Sequence, residues 1–197
     1  LWKTNSSWWV ICSEKILNSN ERWSLENSIE QGKVAVIDIG SNSLRFVVFD
    51  SYGRYPYPLF NERITCRLGE GVQKTKKLKK DRIQQSLETV KRFSKIIDEA
   101  KLETVLVIGT AALRLAKNAE DFIEPAEKFL GNKIRILSGT EEANLVARGL
   151  TANIPKANGI IADLGGGSLE LIKIENGKII DSTCLLYTSP SPRDSVV

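Results

Sequence analysis

The sequence predicts an α/β fold in two related halves: a sheet covered by helices, then the opening strands of a second lobe. Three observations carry that expectation. Strand-like apolar runs alternate with amphipathic helical stretches from Lys33 onward. An acid–glycine segment occurs twice, as VIDIGSNSLRFV at 36–47 and IADLGGGSLELI at 161–172. A strand pattern restarts near residue 159, where the second copy falls.

Residues 1–32 show no clean periodicity, with Trp2, Trp8, Trp9 and Trp23 scattered among polar residues, and read as an ill-defined extension whose native origin the sequence leaves open. KVAVIDIG is a buried-strand run ending at glycine, and SLRFVVFD is a second strand. The turn-rich SYGRYPYP joins it to a third strand around NERITCRLG. GEGVQKTKKLKKD reads as a polar loop. Over residues 80–100, Ile83, Leu87, Val90, Phe93, Ile97 and Ala100 share one helical face. ETVLVIG is a buried strand, and TAALRLAKNAEDFIEPAEKFL is helical with a break expected near Pro125. KIRILSG is a strand and TEEANLVARGLTA a helix. Strand, Gly-rich turn and strand follow, and Asn176-Gly177 marks a hairpin into the last strand. Residues 33–137 are therefore expected to form the first lobe. Residues 138–183 would supply an interlobe helix and the start of a second, truncated lobe. The Ser- and Pro-rich run CLLYTSPSPRDSVV, 184–197, breaks the pattern and resembles a recurrent adapter-derived tail of assembled sequencing data. It reads as a non-native tail that packs poorly; the plain alternative is a disordered native tail.

Composition narrows the function classes. The 197 residues are 42% hydrophobic and 26% charged, which suits one or two small globular domains. No apolar run approaches the roughly 20 residues that span a bilayer, so no membrane role is expected. Cys12, Cys66 and Cys184 lie far apart with no CxxC pair, so neither a disulfide framework nor a zinc site is expected, and a cytoplasmic setting is the default. The net charge of +4 suits an anionic ligand without arguing for one, and no nucleic-acid partner is expected. Without a histidine, acid–base chemistry falls to Asp, Glu, Lys, Tyr or Cys. Without a methionine, the chain reads as a fragment or a conceptual translation.

The repeated segment concentrates the chemistry. Asp38 aligns with Asp163, Gly40 with Gly165, Ser43 with Ser168, Leu44 with Leu169 and Arg45 with Glu170, at a constant offset of 125 (163 − 38). Three consecutive glycines imply that something comes close to the backbone. Turn N–H groups there can form a nest for phosphate. Asp163 and Glu170, brought together by the hairpin, are candidates to hold Mg²⁺, a hard cation that prefers oxygen ligands. A tight β-turn with exposed acids explains one loop equally well. Duplication strengthens the phosphate reading, because two facing loops can clamp a phosphate chain.

AVIDIGSNSLRF, VIGTAALRLAKNAEDF, ILSGTEEANLVARGL and IADLGGGSLELI stand in the order and spacing of the exopolyphosphatase / guanosine pentaphosphate phosphohydrolase family, which the chain resembles over about residues 33–183. RLGEGV is similar to the loop before that family's first long helix. The resemblance implies the ribonuclease-H-like fold shared by actin, sugar kinases and heat-shock chaperones. It implies hydrolysis of terminal phosphoanhydride bonds of polyphosphate or guanosine pentaphosphate, with Mg²⁺ as cofactor and a homodimer for the full-length parent. By position, Glu142 is implied as the base that activates water, and Asp163 and Glu170 as the carboxylates for Mg²⁺ and water. Gly165, Gly166, Gly167 and Ser168 are implied as one phosphate cradle, Ser41 and Asn42 as the other, and Arg114 as a phosphate contact.

The residues themselves leave alternatives open. Glu141 and Glu142 start a helix, where the helix dipole favours acids without any catalysis. Arg114 reads equally as a helix-surface charge, and Arg45 as structural. The run KTKKLKKDR, 74–82, can steer a polyanion or be a solvated loop and helix start. The rival function is a non-catalytic nucleotide- or phosphate-binding regulatory module of the same fold. A sugar kinase fits the first loop but not SGTEEA.

Overall fold

The computed structural model describes residues 32–51 and 56–186. The expectations for residues 1–31, for the turn at 52–55 and for 187–197 lie outside the described residues. The first sheet holds β1 (Val34–Ile39), β2 (Ser43–Phe49), β3 (Pro58–Thr65), β4 (Thr104–Gly109) and β5 (Ile134–Ile136), in the order β3-β2-β1-β4-β5. β1, β2 and β3 pair antiparallel, while β4 and β5 run parallel to β1. The central strands are apolar on both faces because both faces are covered. Ala35, Ile37, Ile39, Leu44 and Phe46 face a core closed by helices, while Val34, Val36, Val47 and Phe49 pack with Ile108 and Leu137 on the other side. β3 alternates between exposed and half-buried residues, as an edge strand with one wet face does.

The helices follow the apolar period with local departures. α1 (Val72–Thr75) lies inside the run expected to be a polar loop, anchored by the buried Val72. α2 (Lys80–Glu99) buries Ile83, Val90, Phe93 and Ile97 as expected, but Ala100 is its exposed C-cap rather than a core residue. Phe93 lies 5.0 Å from the Phe46 ring, which is 5.5 Å from Phe60, so one aromatic chain ties α2 to β2 and β3. The segment expected as one helix broken near Pro125 is two helices, α3 (Ala111–Leu115) and α4 (Glu120–Leu130). The break falls at 116–119, and Pro125 sits inside α4. The cause is tertiary. Lys117 N–H donates to Lys76 O at 2.8 Å, and the Asn118 amide exchanges hydrogen bonds with both Leu78 N–H and Leu78 O. Those bonds pull the backbone out of the helix.

α5 (Gly139–Asn153) lies between the two sheets. Its Leu145 packs against the first sheet, and Ala143, Val146 and Ala147 pack against Ile172 and Ile174. The second sheet, β6 (Gly159–Leu164), β7 (Ser168–Glu175) and β8 (Lys178–Leu186), is an antiparallel meander. β8 corrects the expected boundary at residue 184: Cys184, Leu185 and Leu186 pair with Glu170, Leu169 and Ser168. Main-chain pairing along a strand demands no particular side chains, so the ladder runs on where the sequence pattern stops.

The Asn176-Gly177 hairpin forms as expected, with both residues at positive φ (51° and 76°), the requirement of a type I′ turn. A Cβ on Gly177 would stand 1.9 Å from the Pro155 carbonyl oxygen. Gly177→Ala is therefore expected to destabilise the fold by at least the ~1–3 kcal/mol of a strained left-handed residue. Thermal denaturation checks this, and an unchanged midpoint would mean that the turn relaxes without cost.

Candidate functional site

The two acid–glycine segments are two copies of one hairpin. Asp38 is the last residue but one of β1, opposite Arg45, and Asp163 the last but one of β6, opposite Glu170. Gly40 N–H donates to Ser43 O at 3.1 Å in the first turn, and Gly165 N–H to Ser168 O at 2.9 Å in the second. The 125-residue offset is thus conserved down to strand register and turn hydrogen bond.

The turns face each other at contact distance. A Cβ on Gly166 would lie 2.8 Å from Asn42 Cβ and 3.0 Å from Asn42 N, and one on Gly167 3.0 Å from Ser41 Oγ. None of the three glycines at 165–167 has positive φ, so close approach, not an unusual backbone angle, is what the triplet serves. A third loop braces the first turn. Cys66 and Arg67 N–H donate to Asn42 O, and Gly69 N–H donates to Ser41 O at 2.8 Å. From that loop α1 reaches across, and Gln73 Nε2 donates to Gly167 O at 2.8 Å.

The acids of α5 separate by role. Ser138 Oγ accepts from Glu141 N–H, and the Glu141 carboxylate accepts from Ser138 N–H, a complete capping box. Those bonds and Arg135 hold the Glu141 carboxyl down at about 2. Glu142, one residue on, turns inward. Its Oε2 lies 3.2 Å from Arg114 Nη1, which also donates to Leu137 O. Burial pushes the Glu142 carboxyl up to about 7; Glu170 and Asp163 push the same way, and Arg114 opposes.

The other acids stand within electrostatic reach. Burial and then Glu170 raise Asp163. Glu170 is 1% exposed and accepts from the Cys184 thiol at 3.2 Å. Asp38, left out of the sequence-derived site, belongs to this group. Burial and then the Glu142 charge push it up to about 7, against Arg45 and Arg63, and its buried Oδ1 has no hydrogen-bond partner. Its equivalence to Asp163 in the repeat was the signal that marked it. Gln73 carried no such signal, because its contact spans 94 residues.

The structure thus brings Ser41, Asn42, Gly165, Gly166, Gly167 and Ser168 to one junction. Glu142, Asp163 and Glu170 line it within mutual electrostatic range. Arg114 is bound to Glu142 and Leu137 O rather than lying on a helix surface. The donor set is all carboxylate, and the unpartnered oxygen of Asp38 is a further acceptor without a donor. Among the described residues no three such side chains converge into a protein-only cage. The oxygen donors of Asp163 and Glu170 are of the hard kind that Mg²⁺ takes.

Known proteins resemble this chain in sequence and fold. Residues 47–187 match the Ppx/GppA phosphatase family. A guanosine-5'-triphosphate,3'-diphosphate pyrophosphatase of Aliivibrio fischeri is 29% identical over 150 residues, covering 75% of this chain and 30% of that protein. The crystal structure of an exopolyphosphatase from Cytophaga hutchinsonii superposes with a TM-score of 0.73 at 27% identity, covering 79% of this chain and 51% of that one. The Ppx/GppA family member of Aquifex aeolicus superposes at 0.67 with 30% identity, covering 80% and 52%. The chain therefore spans about half the length of the solved relatives it matches. With most of its length matched, the chain belongs to the Ppx/GppA phosphatase family.

Proposed function

We propose that the protein represented by this chain hydrolyses terminal phosphoanhydride bonds of inorganic polyphosphate, of guanosine pentaphosphate, or of both, by in-line attack of water. The observation that supports this most is Glu142, a partly buried carboxylate near the paired turns with its proton affinity centred near pH 7. A general base works best when its pKa lies near the working pH. A pure binding module has no need of one. The names of the relatives, a guanosine-5'-triphosphate,3'-diphosphate pyrophosphatase and an exopolyphosphatase, support the substrate class.

In this reading Glu142 takes a proton from water as the water oxygen bonds to the terminal phosphorus. The bond from phosphorus to the bridging oxygen breaks, and the shortened substrate leaves with that oxygen. Arg114 orients the base through its hydrogen bond. The turn N–H groups at 165–167, with Ser41, Asn42 and Ser168, hold phosphate oxygens. Asp163 and Glu170 would hold Mg²⁺, which when bound supplies charge neutralisation at the transferred phosphoryl group. No covalent nucleophile is required. A reducing cytoplasmic setting suits the free thiols of Cys66 and Cys184. No helix among the described residues is long and apolar enough to cross a membrane.

The test is phosphate release by the full-length protein from long polyphosphate and from guanosine pentaphosphate, each with and without Mg²⁺. Metal-dependent release from at least one is expected. Tight binding of both without turnover would move the reading to a regulatory module.

A further inference from the structure

The lysine run at 74–80 is tied into the site by contacts that its sequence does not reveal. α1 starts at the loop braced on Ser41, and Gln73 on it touches Gly167, so the helix meets both turns at once. Lys76 follows three residues later, about 5 Å farther along a helical rise. The Lys117 N–H donates to Lys76 O, and Asn118 clamps Leu78 from both sides, so the α3–α4 junction is fixed against the end of α1. Lys74, Lys76, Lys77 and Lys117 are all exposed, and these contacts bring their backbone segments together next to the helix that touches the turns.

Their charges are not spent internally. Glu70, four residues before the run, is taken by Lys79 at 2.6 Å and Arg82 at 2.8 Å, and Asp81, directly after it, lies 3.6 Å from Arg82. Lys74, Lys76, Lys77 and Lys117 have no carboxylate partner among the described residues. Four like charges held together without counter-charges repel one another and attract a polyanion. The run also lacks aromatic side chains, and stacking on aromatics is how single-stranded nucleic acids are commonly held.

We propose that Lys74, Lys76, Lys77 and Lys117 form a track for the trailing phosphates of a long inorganic polyphosphate chain whose end lies beside the junction of the two turns. The inference rests on the phosphoanhydride reading and sharpens it, because a guanosine pentaphosphate is too short to use the turns and the whole track together. Lysine suits such a track, since a point charge on a flexible stem follows a chain without imposing one geometry. Binding to the track is governed by release of the polyanion's counterions, so it is strongly salt-dependent.

Binding is measured on the 197-residue chain, without turnover, using long-chain polyphosphate, tripolyphosphate and single-stranded DNA over a range of salt. The variant carries Lys74→Gln, Lys76→Gln, Lys77→Gln and Lys117→Gln. A charge-matched control carries Lys95→Gln, Lys128→Gln, Lys156→Gln and Lys178→Gln, all exposed and outside the run. The track predicts that long polyphosphate binds the variant at least about tenfold more weakly. It also predicts a fall of about 3 in the slope of log Kd against log salt, from about 0.7 per cation removed. The control and all tripolyphosphate affinities should change less than about twofold. Equal losses in variant and control would reduce the effect to net charge and overturn the track. DNA competing as well as polyphosphate at equal phosphate concentration would overturn the assignment to polyphosphate. Because no hydrolysis is read, failure of Glu142 as the base leaves these outcomes unaltered, and failure of the track leaves hydrolysis of short substrates intact.

Discussion

Glu142→Gln in the full-length protein is expected to slow phosphate release by about 10²–10⁴-fold, the usual contribution of a general base. The substitution keeps size and hydrogen-bonding reach, and Arg114 retains an oxygen to bond, so the carboxylate's basicity is what disappears. Substrate affinity should change little, because the turn residues that hold phosphate are untouched. Glu141→Gln, roughly 100° around the helix, keeps an oxygen for the Ser138 N–H but removes the charge that pairs with Arg135 and complements the helix start. It is expected to cost about 0.3–1 kcal/mol of stability, the worth of an acid at a helix start, with no comparable loss of rate. Steady-state kinetics and thermal melts on both variants separate the two acids. Equal, small effects on rate would mean that both merely favour the helix start and that Glu142 is not the base.

Asp38→Asn is expected to stabilise the metal-free chain at neutral and alkaline pH and to flatten its stability profile. The sign follows from the raised folded-state value. Between its ordinary 3.8 and about 7, Asp38 keeps a proton in the folded chain that it has lost in the unfolded chain. The folded state binds more protons in that window, so stability falls as pH rises through it. Glu142, raised from 4.5 to about 7, acts in the same direction. A shift of that size on Asp38 is worth on the order of 4 kcal/mol above pH 7, and asparagine removes it. Melting curves in EDTA from pH 5 to 8 should therefore fall for the wild type and fall less for the variant. Parallel profiles would mean that Asp38 is ionised in the folded chain without penalty.

Much of this site was legible in the sequence because it is a duplication. The 125-residue offset aligned Asp38 with Asp163 and Arg45 with Glu170, and the structure pairs each acid with its hairpin partner in the same register. The element order was legible because the apolar period changes cleanly between strands and helices. What stayed hidden depends on contacts between distant segments. Ser138 and Glu141 spell a capping box, yet that Glu142 turns inward needs Arg114, 28 residues away and brought in by β5 and α3. The Gly165–Gly167 triplet signalled close approach, but only the fold shows that the facing Ser41–Asn42 turn approaches it. The break at 116–119 is made by Lys76 and Leu78, and no local propensity points there in preference to Pro125. β8 reaches Leu186 through backbone pairing that side-chain patterns do not encode.

The most direct measurement on the central claim is the pH dependence of kcat/KM for phosphate release by the full-length protein, from pH 5.5 to 8.5, beside Glu142→Gln. If Glu142 accepts the proton of the attacking water, the wild-type profile falls on the acid side with a midpoint near 7, where burial and Glu170 place its carboxyl, and that limb is absent from the variant. A wild-type profile flat across this range, or an acid limb that survives in Glu142→Gln, would contradict it.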